Sequence, residues 1–257
     1  MKKPTGGSGG EGGRGLKTRV KTARKRTLSS TLWLQRQLND PYVARAKREG
    51  WRSRAAFKLL EIDEKYELLQ PGQRIVDLGA APGGWSQVAA KKTRSRDGRG
   101  KVVGIDLLDI EPIAGVDFAV MDFLDEDAAD KLKLMLGGGA DGVLSDMAAN
   151  TTGHKKTDHL RIVHIAELAA DFAGEVLKPG GYFLCKLFQG GETGELVTRL
   201  KRDYAVVRHI KPQSSRAGSA ELYVLATGFR AAQGVSEQGV SELHRQCLSV
   251  RRPIEWH

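Results

Sequence analysis

A chain of 257 residues, 40% of them hydrophobic, suffices for one α/β domain with a sizeable core plus some appended sequence. Its net charge of +10 is unevenly placed: residues 1 to 58 carry 16 Lys and Arg against 3 Asp and Glu, and the remainder carries 25 against 28. Two cysteines, no apolar leader and no run near the roughly 18 apolar residues of a membrane span exclude a disulfide scaffold, a Cys-rich zinc site and a membrane protein; a soluble cytoplasmic protein is predicted, its basic end facing a polyanion, nucleic acid before membrane.

Residues 1–30 are mostly Gly, Lys, Arg, Ser and Thr, with Leu16, Val20 and Leu28 as their sizeable apolar side chains. Such a segment buries too little to order itself, and a flexible basic tail is expected. From Ser30 to Tyr66 the period becomes helical, with Trp33, Leu34 and Leu38 on one face and Ala55, Ala56, Leu59, Leu60 and Ile62 on another; Pro41 and Gly50 punctuate it. After Gln70-Pro71-Gly72, short apolar runs at 74–80, 101–108, 116–123, 141–147 and 181–188 alternate with helical segments, the pattern of βαβ units. A long helix is predicted after Thr157-Asp158, its polar stripe being Arg161, His164, Glu167, Asp171 and Glu175, and Lys178-Pro179-Gly180-Gly181 is expected to stop it. Runs 204–210 and 221–229 lack a helix-length segment between them and pair as an antiparallel hairpin at the sheet edge. The expected fold is α/β and Rossmann-like over residues 31–230: a seven-stranded, mostly parallel sheet with one antiparallel strand and helices on both faces. Residues 231–257 show no sustained period and stand as an extension without an assigned role.

Asp77-Leu78-Gly79-Ala80-Ala81-Pro82-Gly83-Gly84-Trp85-Ser86 follows the first strand and precedes a helix, at the carboxyl edge where α/β sheets bind ligands. Its glycines allow a tight turn and close approach, but the spacing G-x-x-x-G-G is not that of a dinucleotide fold, and Pro82 and Trp85 would crowd a pyrophosphate. Asp106 ends the second strand, where a carboxylate accepts from ribose hydroxyls; Asp122 ends the third and can accept from an adenine amino group. A strand-end Asp taken alone more often caps the next helix. Three acids at consecutive strand ends beside a glycine turn weigh against that reading.

The stretches DLGAAPGGWSQ (77–87), SDMAAN (145–150), KLFQG (186–190) and RSRAAFKL (52–59) resemble the FtsJ-type, also called RrmJ-type, ribosomal RNA 2′-O-methyltransferases, the likeness running from about Ser30 to Phe229. The resemblance implies S-adenosylmethionine as cofactor, held by Gly83, Trp85, Asp106, Asp122 and Asp146, and a catalytic set on Lys58, Asp146, Lys186 and Glu221. It further implies a uridine ribose of large-subunit (23S) ribosomal RNA as substrate, met on the assembled subunit or a late precursor. Ala149 departs from the proline usual in that family's fourth-strand motif and is expected to loosen the loop over the substrate.

The chemistry asks for such a set by itself. A ribose hydroxyl is a poor nucleophile until a base takes its proton, and a sulfonium donor is already activated, so deprotonation and alignment are the protein's tasks. Lys186 is the candidate base; Lys58 supplies a like charge that favours its neutral form, Asp146 orients it and helps hold the sulfonium, and Glu221 positions Lys58 or the ribose. Arg45, Lys47, Arg48, Arg52 and Arg54 precede Lys58 and are expected to contact RNA phosphates, with Lys211, Ser214, Ser215 and Arg216 flanking the other side. A metal-free monomer is expected, since the six histidines lack ligand spacing and His159 and His164 decorate or flank a helix. Two rival readings are a 2′-O-methyltransferase of transfer RNA, which a long anticodon-binding extension would favour, and a non-catalytic ribosome assembly factor, which loss of a catalytic residue would favour.

Overall fold

The computed structural model describes residues 18–20, 22, 27–148, 153–189, 193–216 and 218–230. Ala149, segment 231–257 and most of the basic tail lie outside them. Three helices, α1 (Leu28–Leu38), α2 (Pro41–Glu49) and α3 (Ala56–Tyr66), lead into β1 (Arg74–Leu78), α4 (Gly84–Thr93), β2 (Lys101–Asp106), β3 (Asp117–Val120), α5 (Ala128–Leu136) and β4 (Ala140–Ser145). Then come α6 (Lys155–Val176), β5 (Leu177–Phe188), α7 (Gly194–Asp203), β6 (Tyr204–Ile210) and β7 (Glu221–Phe229).

The N-terminal helices begin and end where local chemistry directs. Thr27 caps α1 by accepting from Ser30 N–H, so this helix starts two residues before the expected Ser30. Asp40 caps α2 through Tyr42 N–H, Pro41 occupies the first turn where no donor is needed, and Gly50 at φ 77° closes it. Within the expected tail, Thr18 N–H donates to Asn39 Oδ1 at 2.8 Å, and Asn39 Nδ2 donates back to the Thr18 carbonyl.

The sheet runs β3-β2-β1-β4-β5-β7-β6, parallel throughout except for β7, which lies antiparallel to both neighbours. The hairpin is present, and its second strand inserts between β5 and β6 so that β6 forms the edge. Strand residues alternate between two cores. Ile75, Val102, Leu144, Leu184, Tyr223 and Leu225 pack under α3 and α4; Val76, Val103, Val143, Phe183, Val224 and Ala226 pack under α5 and α6. The continuous apolar runs read from the sequence are the signature of strands covered on both sides. The α6 helix ends at Val176, as the Lys178-Pro179-Gly180-Gly181 stop requires, but β5 already starts at Leu177. A register shift between Ala140 and Gly142 accommodates the proline and Gly180, the latter at φ 82°, as an irregularity within the strand. No helix among the described residues is long and apolar enough to cross a membrane.

Candidate active site

Sheet register assembles the site. Ser145 on β4 pairs with Cys185 on β5, so the next residues, Asp146 just past the end of β4 and Lys186 still within β5, lie side by side. Lys186 faces Tyr223 across β5 and β7, and Phe188 faces Glu221. Tyr223 belongs to the core beneath α3 and α4, and α3 carries Lys58 on its buried face. The four residues that the resemblance marks as catalytic therefore converge from four elements. Lys58 Nζ lies 2.8 Å from Glu221 Oε2 and 3.7 Å from Asp146 Oδ1; Lys186 Nζ lies 3.2 Å from the same Oδ1 and donates to the Asp146 carbonyl at 2.5 Å. Both lysines are buried, at 9% and 6% exposure, so these ion pairs are shielded from solvent.

Asp146 is the centre of this cluster. Burial would raise its carboxyl, but the Lys186 and Lys58 ammonium groups and the Tyr223 hydroxyl outweigh that and hold it below the ordinary carboxylate range. Tyr223 Oη donates to Asp146 Oδ1 at 2.6 Å, and burial beside Asp146 and Glu221 raises the phenol well above its usual value, so it stays a hydrogen-bond donor. Tyr223 also stacks against Trp85 with ring centroids 5.6 Å apart. Sequence reading missed Tyr223; the signal was its place two residues after Glu221, on the same face of a strand.

Next to this cluster opens a cavity of about 490 Å³, lined by Gly79, Asp106, Leu108, Asp122, Asp146 and Met147 among others. Its size suits a nucleoside-sized ligand. Asp106 accepts from Ala81 N–H and Leu108 N–H at 2.9 Å each, which ties the glycine turn to the end of β2; Asp122 accepts from Leu124 N–H at 3.0 Å. Each carboxylate thus ties down nearby loop backbone and caps no helix, contrary to the simpler reading, since α5 has Asp127 at its N-cap; both residues line the cavity. Gly79, at φ 73°, brings backbone to the cavity wall where a Cβ would collide with the Met147 side chain.

Gly83 and Trp85 lie apart from that lining. Gly83, at φ 105°, is the N-cap of α4 and sits beneath Arg52 and Ile113. Trp85 is 3% exposed and donates its indole N–H to the Ala55 carbonyl at 2.9 Å, joining α4 to the turn before α3. Asp77, fully enclosed on β1, accepts from Ser86 Oγ at 2.6 Å through one oxygen, and its other oxygen has no hydrogen-bond partner. Burial pushes this carboxyl up to about 7, against the opposing Ser86 hydrogen bond and with smaller help from Asp146 and Asp106.

The five basic residues proposed to meet phosphate divide. Lys47 and Arg48 are exposed on α2. Arg45, also exposed, pairs with Glu49 and stacks over Phe57. Arg52 donates to the Glu111 and Pro112 carbonyls at 2.5 and 2.8 Å, and Arg54 is turned inward onto Asp40 and the Ser214 carbonyl.

This strand order, with a glycine turn after β1 and strand-end acids around a cavity, defines a Rossmann-like methyltransferase fold. The chain belongs to the FtsJ-like methyltransferase family, whose model matches residues 51–229. A protein of Xanthobacter autotrophicus called ribosomal RNA large subunit methyltransferase E is 70% identical over 221 residues, 86% of this chain and 87% of its own length. One of the same name from Azorhizobium caulinodans is 66% identical over 229 residues, 89% and 95% of the two chains. Among solved structures, a Plasmodium falciparum chain described as a ribosomal RNA methyltransferase superposes with a TM-score of 0.63 at 32% identity, covering 70% of this chain and 98% of its own.

Proposed function

We propose that the protein transfers a methyl group from S-adenosylmethionine to a uridine ribose 2′-hydroxyl of large-subunit ribosomal RNA, acting on an assembled or late-precursor subunit. The observation that carries this reading is the buried Lys58–Asp146–Lys186–Glu221 cluster opening onto an acid-lined cavity. Relatives at 66–70% identity, named for large-subunit ribosomal RNA, support the substrate class.

The cavity fits such a donor: Asp106 and Asp122 offer carboxylates to an adenosine, and Asp146 stands where the cavity meets the lysines. The donor supplies an activated methyl on a sulfonium. The remaining work falls to the chain. Lys186, in its neutral form, takes the proton from the attacking hydroxyl. Asp146 stays ionised and orients Lys186 through its carboxylate, with Tyr223 fixing the carboxylate in turn. Glu221 holds Lys58 and so balances its charge beside Lys186. Lys47 and Arg48, exposed on the surface of α2, meet the phosphates, and the inward Arg54 shapes the rim of the site.

The test is incubation with radiolabelled S-adenosylmethionine and large subunits from a methylation-deficient strain, free ribosomal RNA or transfer RNA, followed by nucleoside mapping. Label in a 2′-O-methyluridine of the large subunit is expected. Label in transfer RNA alone would overturn the substrate, and no label despite donor binding would overturn the activity.

A further inference from the structure

Glu221 holds Lys58 with only one of its oxygens. The other, Oε1, accepts from the Ser215 hydroxyl at 2.9 Å. Ser215 is 7% exposed, and it sits on the connection between β6 and β7, whose described residues form neither helix nor strand. A glutamate at the first residue of a strand has several rotamers open to it, and holding one of them costs entropy that a second, buried hydrogen bond offsets.

That loop is fastened at several points. Ser214 N–H donates to Glu61 Oε2 at 3.0 Å, and the Ser214 carbonyl accepts from the Arg54 guanidinium. Arg54 Nη1 lies 2.8 Å from Asp40 Oδ2, and the same oxygen accepts from Arg216 Nε and Nη2 at 3.2 and 3.1 Å. The Asp40 side chain is 6% exposed, and its Oδ1 caps α2. One buried carboxylate thus joins the α2 start, the turn before α3 and the loop before β7. Those last two segments deliver Lys58 and Glu221. Charge-assisted, shielded bonds of this kind set geometry more firmly than exposed ones.

We propose that Ser215 is a positioning residue for the Lys58–Glu221 pair, and that Asp40, acting through Arg54 and Arg216, anchors the loop that carries it. The proposal rests on the assignment of Lys58 and Glu221 to the reaction made above. It gives the inward arginines a role in holding the reacting groups in register.

The full-length chain is tested in single-turnover and steady-state methyl transfer from radiolabelled S-adenosylmethionine to large subunits lacking the modification. Ser215→Ala is expected to lower turnover about tenfold, leaving the half-saturating concentrations of donor and subunit within about twofold of wild type. Ser215→Thr restores the hydroxyl and most of the rate. In a Glu221→Gln background, Ser215→Ala costs less than about twofold, because the two residues act as a unit. Asp40→Asn, which retains a helix-capping acceptor, reproduces the turnover loss. If Ser215→Ala does not fold, Ser215→Cys, close in volume and a weak donor, carries the same comparison. Wild-type turnover in Ser215→Ala beside an impaired Glu221→Gln would overturn the positioning role alone, as would fully additive losses in the double variant. An unimpaired Asp40→Asn would overturn the anchor. Full activity in Glu221→Gln would overturn the catalytic assignment and the proposal together.

Discussion

Lys58 Nζ and Glu221 Oε2 meet at 2.8 Å across 163 residues of chain, joining the helix before the sheet to the one reversed strand within it. Both side chains are well shielded, at 11% and 15% exposure, so removing one partner leaves the other charge buried. Lys58→Met is expected to lower unfolding free energy by roughly 2–4 kcal/mol. In urea denaturation, the Lys58→Met, Glu221→Gln double variant should lose less than the sum of the singles by about 1–3 kcal/mol. Strictly additive losses would mean that the pair contributes geometry without stability.

Lys186 is expected to be needed for the proton and not for binding. Lys186→Ala should slow single-turnover transfer at least about a hundredfold while donor affinity, read by calorimetry, changes less than about threefold. Lys186→Arg can still pair with Asp146 but cannot give up its proton at accessible pH, and should be as inactive as the alanine variant. An active arginine variant would remove Lys186 as the base.

Asp77 predicts a pH dependence of stability. Its folded-state value of about 7 lies above the ordinary carboxyl value of 3.8, so between these the folded chain binds more protons than the unfolded one. Stability from this group is therefore complete below about pH 4 and declines as pH rises to about 7, by on the order of 4 kcal/mol. Asp77→Asn keeps an acceptor for Ser86 and cannot ionise; its unfolding free energy should fall less between pH 5 and pH 8 than that of wild type. Parallel curves for the two proteins would show that the site does not titrate in this range.

The basic residues should separate by experiment as they do in space. Lys47→Ala and Arg48→Ala are expected to weaken subunit binding and to reduce its salt slope by about 1 each, with thermal stability unchanged. Arg54→Ala, which strips the buried Asp40 of one partner, should instead cost roughly 2–3 kcal/mol of stability. A salt-slope change for Arg54→Ala with no loss of stability would return it to the RNA-binding surface.

Trp85→Phe tests whether the indole acts as a brace. Loss of its bond to the Ala55 carbonyl should reduce stability by about 1–2 kcal/mol, and donor affinity should suffer less than in Asp106→Ala, a cavity-lining position. The reverse order of affinities would put the Trp85 side chain in the donor site.

Much of this architecture is written in local pattern. The runs at 74–80, 101–108, 141–147 and 181–188 are continuous because each strand is covered on both faces, and apolar continuity is visible without tertiary knowledge. Asp40-Pro41 and Gly50 mark the ends of α2 through capping chemistry that acts within a few residues. The third strand was harder to bound. It spans Asp117–Val120, four residues of an edge strand exposed at its ends, where the pressure for apolar alternation is weakest.

The sequence by itself determined the fold class and the place of the glycine turn, and its motif wording singled out Lys58, Asp146, Lys186 and Glu221 as candidates, because strand periodicity and motif wording are carried by neighbouring residues. Tertiary structure alone decided that Tyr223 bonds Asp146, that Ser215 bonds Glu221, and that Arg54 turns inward and Arg52 lies against the Glu111 and Pro112 carbonyls while Lys47 and Arg48 stay in solvent. A charged side chain reads the same in sequence whichever way it faces. Its direction is set by a partner as far as 160 residues away, as Ser214 stands from Arg54, and only the packed chain brings the two together.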